Sequence, residues 1–165
     1  MCSDAWQYEV LKHTFLFGKE NIMIRQYEKG DLEQCAHIFR NAFSEEDWGC
    51  AWTQERAELY LSDYVGNPKF VGYVSENDGI IDGAIFACKK VSWNNDEIYV
   101  DELIVEPQKQ RSGIGKQLVA AMKNYSKENG LAGIVLYSHE QAPAKRFYEK
   151  NGFQLSEGVI CMYWI

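Results

Sequence analysis

Apolar residues recur along this 165-residue chain at two periods, and each switch between them marks an element. Ile22–Tyr27 alternates and predicts a first strand. After Gly30-Asp31, the residues Leu32, Cys35, Ala36, Phe39 and Phe43 fall three and four apart, the stripe of an amphipathic helix. Acids and a glycine in Ser44–Cys50 break it. Thr53 then offers an N-cap to a second helix, with Glu55 near its positive end and Ala57, Tyr60, Leu61 and Tyr64 as its apolar stripe. Gly66-Asn67-Pro68 stops that helix.

The middle of the chain reads as β. Phe70–Ser75 and Ile80–Val91 flank Glu76-Asn77-Asp78-Gly79, an Asp-Gly hairpin signal, and the turn Ser92–Asp96 leads into the strand Glu97–Val105. A loop at Pro107–Arg111 precedes a helix over Ser112–Asn129, whose face carries Ile114, Leu118, Ala121, Met122 and Tyr125, with Gly130 after its end. Gly133–Tyr137 predicts a short buried strand and Pro143–Lys150 a helix. Phe153–Leu155 and Val159–Trp164 are expected to close the sheet as two last strands. The order β-α-α-β-β-β-α-β-α-β-β is a mixed α/β layout with no internal repeat.

Length suits one domain, and 46% apolar with 25% charged residues excludes a disordered or collagen-like chain. The net charge of −7 speaks against general nucleic-acid binding and is compatible with a cationic small molecule. Cys2, Cys35, Cys50, Cys88 and Cys161 are odd in number, form no Cys-x-x-Cys, and do not cluster with His13, His37 or His139. The expectation is therefore reduced thiols in a cytoplasmic protein and no metal. No apolar run reaches the roughly 18–20 residues of a bilayer span, and Met1–Glu20 lacks the marks of a signal peptide. Residues 1–21 read as an extension or as a short helix packed on the domain.

Chemistry concentrates in Val105-Glu106-Pro107-Gln108-Lys109-Gln110-Arg111-Ser112-Gly113-Ile114-Gly115-Lys116. Two glycines where a loop becomes a helix let the backbone curl and turn successive N–H groups outward, and the helix's positive end reinforces them. That is an anion site fit for a pyrophosphate, and Lys109, Arg111 and Lys116 add positive charge. It is not a Walker loop, because Gln110 stands where a glycine is needed and Gln117 follows the lysine. It is not a dinucleotide fingerprint either, because Leu118 stands at the third glycine position.

Gln110-x-x-Gly113-x-Gly115, preceded by Val105-x-Pro107, resembles the acetyl-CoA motif of the GNAT acyl-CoA N-acyltransferases. Ala144-Lys145-Arg146-Phe147-Tyr148-Glu149-Lys150-Asn151-Gly152-Phe153 is similar to that family's penultimate helix and Tyr-x-x-x-Gly-Phe exit. The resemblance covers residues 22–165. It implies a single GNAT-type α/β domain, a central mixed sheet with a splayed parallel pair (Glu97–Val105 with Gly133–Tyr137) and helices on both faces. It also implies acetyl-CoA as co-substrate. Its pyrophosphate would lie on Gln110, Arg111, Ser112, Gly113, Ile114, Gly115 and Lys116, and its pantetheine on the main chain of Leu103, Ile104 and Val105. Leu103 N–H would polarise the thioester carbonyl. Gln141, where the family often carries Asn, and Lys145 complete the implied cofactor contacts.

Amine acylation needs a neutral amine, and deprotonating an alkylammonium at pH 7 costs about 4.6 kcal/mol. The adjacent acids Asp101 and Glu102 are the candidates for that task, Asp101 first as base relay and Glu102 second; outside a bulge only one of two strand neighbours faces a given side. The resemblance implies Tyr148 as the acid that protonates the CoA thiolate. No cysteine has a nucleophile-like setting, so direct attack is expected. Acids interleaved with aromatics over Glu45–Tyr64 suit a polyamine or amino sugar, with Glu46, Asp47, Trp48, Trp52 and Tyr64 as substrate contacts. The plain alternative is a solvated helix face above core aromatics. Trp48–Trp52 also resembles, more loosely, aminoglycoside 6'-N-acetyltransferases. A small cationic amine is the expected acceptor. The rivals are a protein or peptide amine, or acyl-CoA binding without catalysis. A membrane or nucleic-acid partner is not expected, and a homodimer is left open.

Overall fold

A computed structural model of the protein describes residues 22–160, 162 and 164, apart from the side chains of Glu45 and Asp47. The expected extension 1–21 lies outside the described residues.

Strand β1 (Met23–Gln26) is followed by helix α1 (Leu32–Ala42), the single turn α2 (Glu45–Trp48) and helix α3 (Gln54–Val65). The α1 stripe buries Cys35, Ala36, Ile38 and Phe39. Thr53 caps α3 as its sequence predicts, its hydroxyl accepting the Arg56 N–H at 3.2 Å. Strands β2 (Phe70–Asn77), β3 (Ile80–Lys90) and β4 (Glu97–Val105) follow, then α4 (Ile114–Glu128), β5 (Gly133–Leu136) and α5 (Pro143–Lys150). The sheet order is β1-β2-β3-β4-β5, with antiparallel pairs through β4 and a parallel β4–β5 pair.

Side-chain alternation on β3 puts helices on both faces of this sheet. Ala84 and Phe86 join Val74, Ile104, the α1 stripe and Ala57 and Leu61 of α3 in one buried cluster. Gly83 points the other way: a Cβ there would stand 3.0 Å from Ile114 Cγ2 and 3.3 Å from Leu118 Cδ1, so α4 covers the second face. Each fully buried Leu, Ile or Phe in these layers contributes about 1.5–3 kcal/mol. The fold is a single α/β domain of the expected class. Its contacts cluster into two compact units, one reaching Val135 and one beginning at Leu136.

Two predicted strands are corrected. Among the described residues, Phe153–Leu155 form no strand, and Val159, Ile160, Met162 and Trp164 carry none. The Phe153 N–H, which a ladder would need, donates instead to the Tyr148 carbonyl at 3.1 Å and closes α5. Leu155, Val159 and Ile160 are β-formers by composition yet stay exposed. Propensity without a neighbouring strand does not make a ladder.

Candidate active site

β4 changes face in mid-strand. Val100 pairs with Ala87 and Glu102 with Phe86, so Asp101 is an extra residue, a β-bulge. Directly opposed residues share a face. Val100 therefore lies on the α4 side with Ala87, whereas Glu102 and Ile104 lie on the α1–α3 side with Phe86 and Ala84. Asp101, next in alternation after Val100, also turns toward the α3 side, where Cys88 lies. The bulge thus brings both acids to one face.

Their environments differ. Tyr60 on α3 donates its hydroxyl to Glu102 Oε1 at 2.6 Å, and Tyr64 donates to Tyr60 Oη at 2.8 Å. Burial pushes the Glu102 carboxyl up to about 7, with the Asp101 charge adding to the rise and the Tyr60 bond opposing it. Asp101 is solvent-exposed on its residue surface. Burial of part of its carboxyl still raises it, while a Cys88 thiol donor and the Lys90 charge pull it back. Glu102 is the half-buried, hydrogen-bonded acid of the pair and the one poised near neutrality.

Around this file stands an aromatic wall. Tyr60 lies 5.1 Å from Phe39 and 5.2 Å from Trp52, and Tyr64 meets Tyr60 edge-on at 5.2 Å. The structure thus brings Trp52 and Tyr64 together with the acids. Trp48 lies 5.5 Å from Phe43, the rings tilted by 57°, and is half-exposed, and Glu46 is exposed. The side chain of Asp47 lies outside the described residues. Tyr60 is the site residue that pattern reasoning passes over. It sits in the apolar stripe of α3, and its spacing of four from Tyr64 is the signal that puts both hydroxyls on one helix face.

The far end of β4 leads toward the glycine-containing loop before α4. Glu106 N–H donates to the Asp82 carbonyl at 2.9 Å, which sets the phase of the antiparallel ladder. Residues in step with Glu106, namely Ile104 and Glu102, bond toward β3, so Leu103 and Val105 direct their peptide groups to the opposite edge. That edge is where β5 would lie. However, β5 starts level with Asp96, which accepts the Ala132 N–H at 2.8 Å, and four residues later it has run out opposite the bulge. The peptide groups of Leu103 and Val105 thus extend past β5, and the Val105 carbonyl takes a long bond from Gln110 Nε2 at 3.4 Å.

The loop that follows is held from inside. Ser112 Oγ donates to the Lys109 carbonyl at 2.6 Å, and the Lys109 ammonium lies 3.7 Å from the buried Asp82 carboxylate. Arg111 has φ 64° and Gly113 φ 99°, so the chain turns twice through the left-handed region before α4. The first helical bond is Gln117 N–H to the Gly113 carbonyl, and no side chain caps the end. The N–H groups of Ile114, Gly115 and Lys116 precede that bond at the positive end of the helix, with the exposed Arg111 and Lys116 on the same segment.

In the unit that begins at Leu136, α5 presents Phe147 and Tyr148 and ends where Asn151 caps the Phe147 carbonyl through Nδ2 at 2.8 Å. Gly152 takes φ 80°, and Phe153 meets Tyr148 edge-on at 5.5 Å. Gln141 and Lys145 line one shallow hollow with Pro143 and Arg146. Among the described residues no group of three His, Cys, Asp or Glu could hold a metal ion.

Comparison with known proteins bears on the family and the fold. The model of the acetyltransferase (GNAT) domain matches residues 68–155, just over half of the chain. An uncharacterized N-acetyltransferase, YhfO of Bacillus subtilis (strain 168), is 27% identical over 140 residues, covering 83% of this chain and 93% of that protein. A mycothiol acetyltransferase of Thermomonospora curvata is 29% identical over 137 residues, covering 81% of this chain but only 44% of its own length. Among solved structures, the aminoglycoside N-acetyltransferase AAC(6')-Iy in complex with CoA superposes with a TM-score of 0.71 at 17% identity, covering 89% of this chain and 97% of that one. The chain therefore belongs to the GNAT acetyltransferases and is an N-acetyltransferase of that type.

Proposed function

We propose that residues 22–165 move the acetyl group of acetyl-CoA, by direct attack, onto a primary amine of a small polycation of aminoglycoside or polyamine type. The observation that carries this reading is the Tyr64–Tyr60–Glu102 file at the bulge of β4, half-buried and walled by aromatics. Glu102 is read as the base: a carboxyl lifted to about 7 is half ionised at neutral pH and a far better proton acceptor than an ordinary glutamate. Asp101, exposed beside it, is read as a ligand for the acceptor's charge.

The remaining roles follow the chain's own groups. The N–H groups of Arg111–Lys116 hold the pyrophosphate, with the Arg111 and Lys116 side chains adding charge. Leu103 and Val105 pair with the pantetheine amides, and Leu103 N–H polarises the thioester carbonyl, a donor worth about 2.7–4 kcal/mol. Glu102 takes the ammonium proton, the amine nitrogen forms its bond to the acetyl carbon, and the carbon–sulfur bond breaks. Tyr148 keeps the role the resemblance gives it, protonating the departing thiolate. Glu46 and the aromatics Trp48, Trp52 and Tyr64 would recognise the cation by charge and by ring faces. A cytoplasmic setting is compatible with the free thiols of Cys35, Cys50 and Cys88.

The test is thiol release from acetyl-CoA across aminoglycosides, polyamines, amino acids and peptides. Turnover of polycations ahead of neutral amines and peptides is expected. A neutral peptide acetylated faster than every polycation would overturn the acceptor assignment.

A further inference from the structure

We propose that Tyr60 and Tyr64 are positioning residues for catalysis, their hydroxyls holding the Glu102 carboxylate ionised and aimed at the acceptor. The proposal rests on the reading of Glu102 as the base. Its ground is the geometry of three oxygens. The 2.6 Å contact from Tyr60 is at the short end for a hydroxyl on a carboxylate, the range of charge-assisted bonds. The 2.8 Å bond from Tyr64 occupies the Tyr60 oxygen as an acceptor, which commits the Tyr60 hydrogen to Glu102 and polarises it. One carboxylate oxygen is thereby fixed, and Oε2, unbonded among the described residues, is the one that would meet an ammonium.

What surrounds Glu102 makes that support necessary. On β4 its neighbour Asp101 is a like charge, and on β3 the groups near the pair are Cys88 and Lys90, both acting on Asp101. From α3 come Tyr60 and Tyr64 alone. On α1, His37 is engaged with Arg40 and Asn41, and Asn41 leads to Glu106 rather than to Glu102. α4 carries its lysines on the other face of the sheet, and β5 contains no titratable residue. Burial and Asp101 both favour the protonated acid, which cannot accept a proton, and the Tyr60 hydroxyl, itself bonded by Tyr64, is the donor that opposes them. The Tyr60 ring also packs in a three-ring cluster with Phe39 and Trp52, which restrains the direction of its hydroxyl.

The experiment compares kcat/KM against pH for wild type, Tyr60→Phe, Tyr64→Phe and Glu102→Gln, together with isotope-edited infrared titration of the Glu102 carboxyl. Tyr60→Phe keeps the ring and removes only the donor. Its acid limb is expected to move up by about one pH unit, the order set by one hydrogen bond to a charged group. That is roughly a tenfold loss one unit below the wild-type limb, with recovery to within about threefold in alkali. Tyr64→Phe is expected to move the limb the same way by less, and the infrared midpoint should rise in parallel. A purely structural role would lower the rate equally at every pH and leave the midpoint in place. A wild-type limb and midpoint in Tyr60→Phe, beside an inactive Glu102→Gln, overturns this proposal alone. A Glu102→Gln enzyme with the wild-type profile overturns the base assignment beneath it.

Discussion

Gly83 runs so close to Ile104 that a Cβ added to it would lie 2.8 Å from the Ile104 carbonyl oxygen and 3.0 Å from Ile114 Cγ2. The glycine is therefore where the end of β4 and the start of α4 are brought together on β3. Gly83→Ala is expected to destabilise the fold by about 1–3 kcal/mol, the usual cost of overpacking. It should also raise KM for acetyl-CoA, because both walls of the proposed cofactor site shift. Denaturant melts and steady-state kinetics check the two effects together.

Gly113 tests the backbone alone. A Cβ there meets nothing within 4 Å, so any effect of Gly113→Ala comes from its φ of 99°. Holding a side-chain residue in that region costs about 1–2 kcal/mol. Calorimetry is expected to show weaker CoA binding by about tenfold, with the melting midpoint moved far less than by Gly83→Ala. Unchanged affinity would remove the loop from the cofactor site.

Glu102 predicts a sign for stability. Its carboxyl titrates near 7 in the folded chain against 4.5 unfolded, so the folded state binds the proton more tightly. This contribution is fully present below about pH 4.5 and is lost as pH rises through about 7. Glu102→Gln removes the buried charge. The variant is therefore expected to melt above wild type at pH 8 and to lose that advantage by pH 5, even as its activity falls. Melting curves at the two pH values decide it.

Charge should show in the acceptor. Exposed charges attract over a Debye length of about 8 Å at 0.15 M salt. KM for a polyamine or aminoglycoside is expected to rise with salt more steeply than KM for an uncharged amine. Charge reversal at the exposed Glu46 should raise it further. Equal salt dependence for both acceptors would assign the acids of Glu45–Tyr64 to solvation.

Much of this protein is decided by interactions that are local in the chain. The period of apolar residues specifies α1, α3 and α4, because a helix bonds within itself and needs only a stripe to bury. The Asp-Gly turn specifies the β2–β3 hairpin for the same reason of proximity. The conformation of the glycine loop at Gln110–Lys116 is equally legible, since its turn is set by its own backbone and by the helix that follows.

Tertiary structure decided the rest. Read as a uniform strand, Ile98, Val100, Glu102 and Ile104 would share one face; pairing with β3 inserts Asp101 and sends the last two across the sheet. Tyr60 passes in the sequence for a core residue of α3, because its hydroxyl partner Glu102 lies 42 positions away. Phe153–Leu155 have the composition of a strand, and only the capping of α5 shows where the Phe153 N–H goes instead. In each case the deciding bond is made to a residue remote in sequence or to a helix end already in place. Alternation and propensity describe what a segment can become, and register and partner choose among those outcomes.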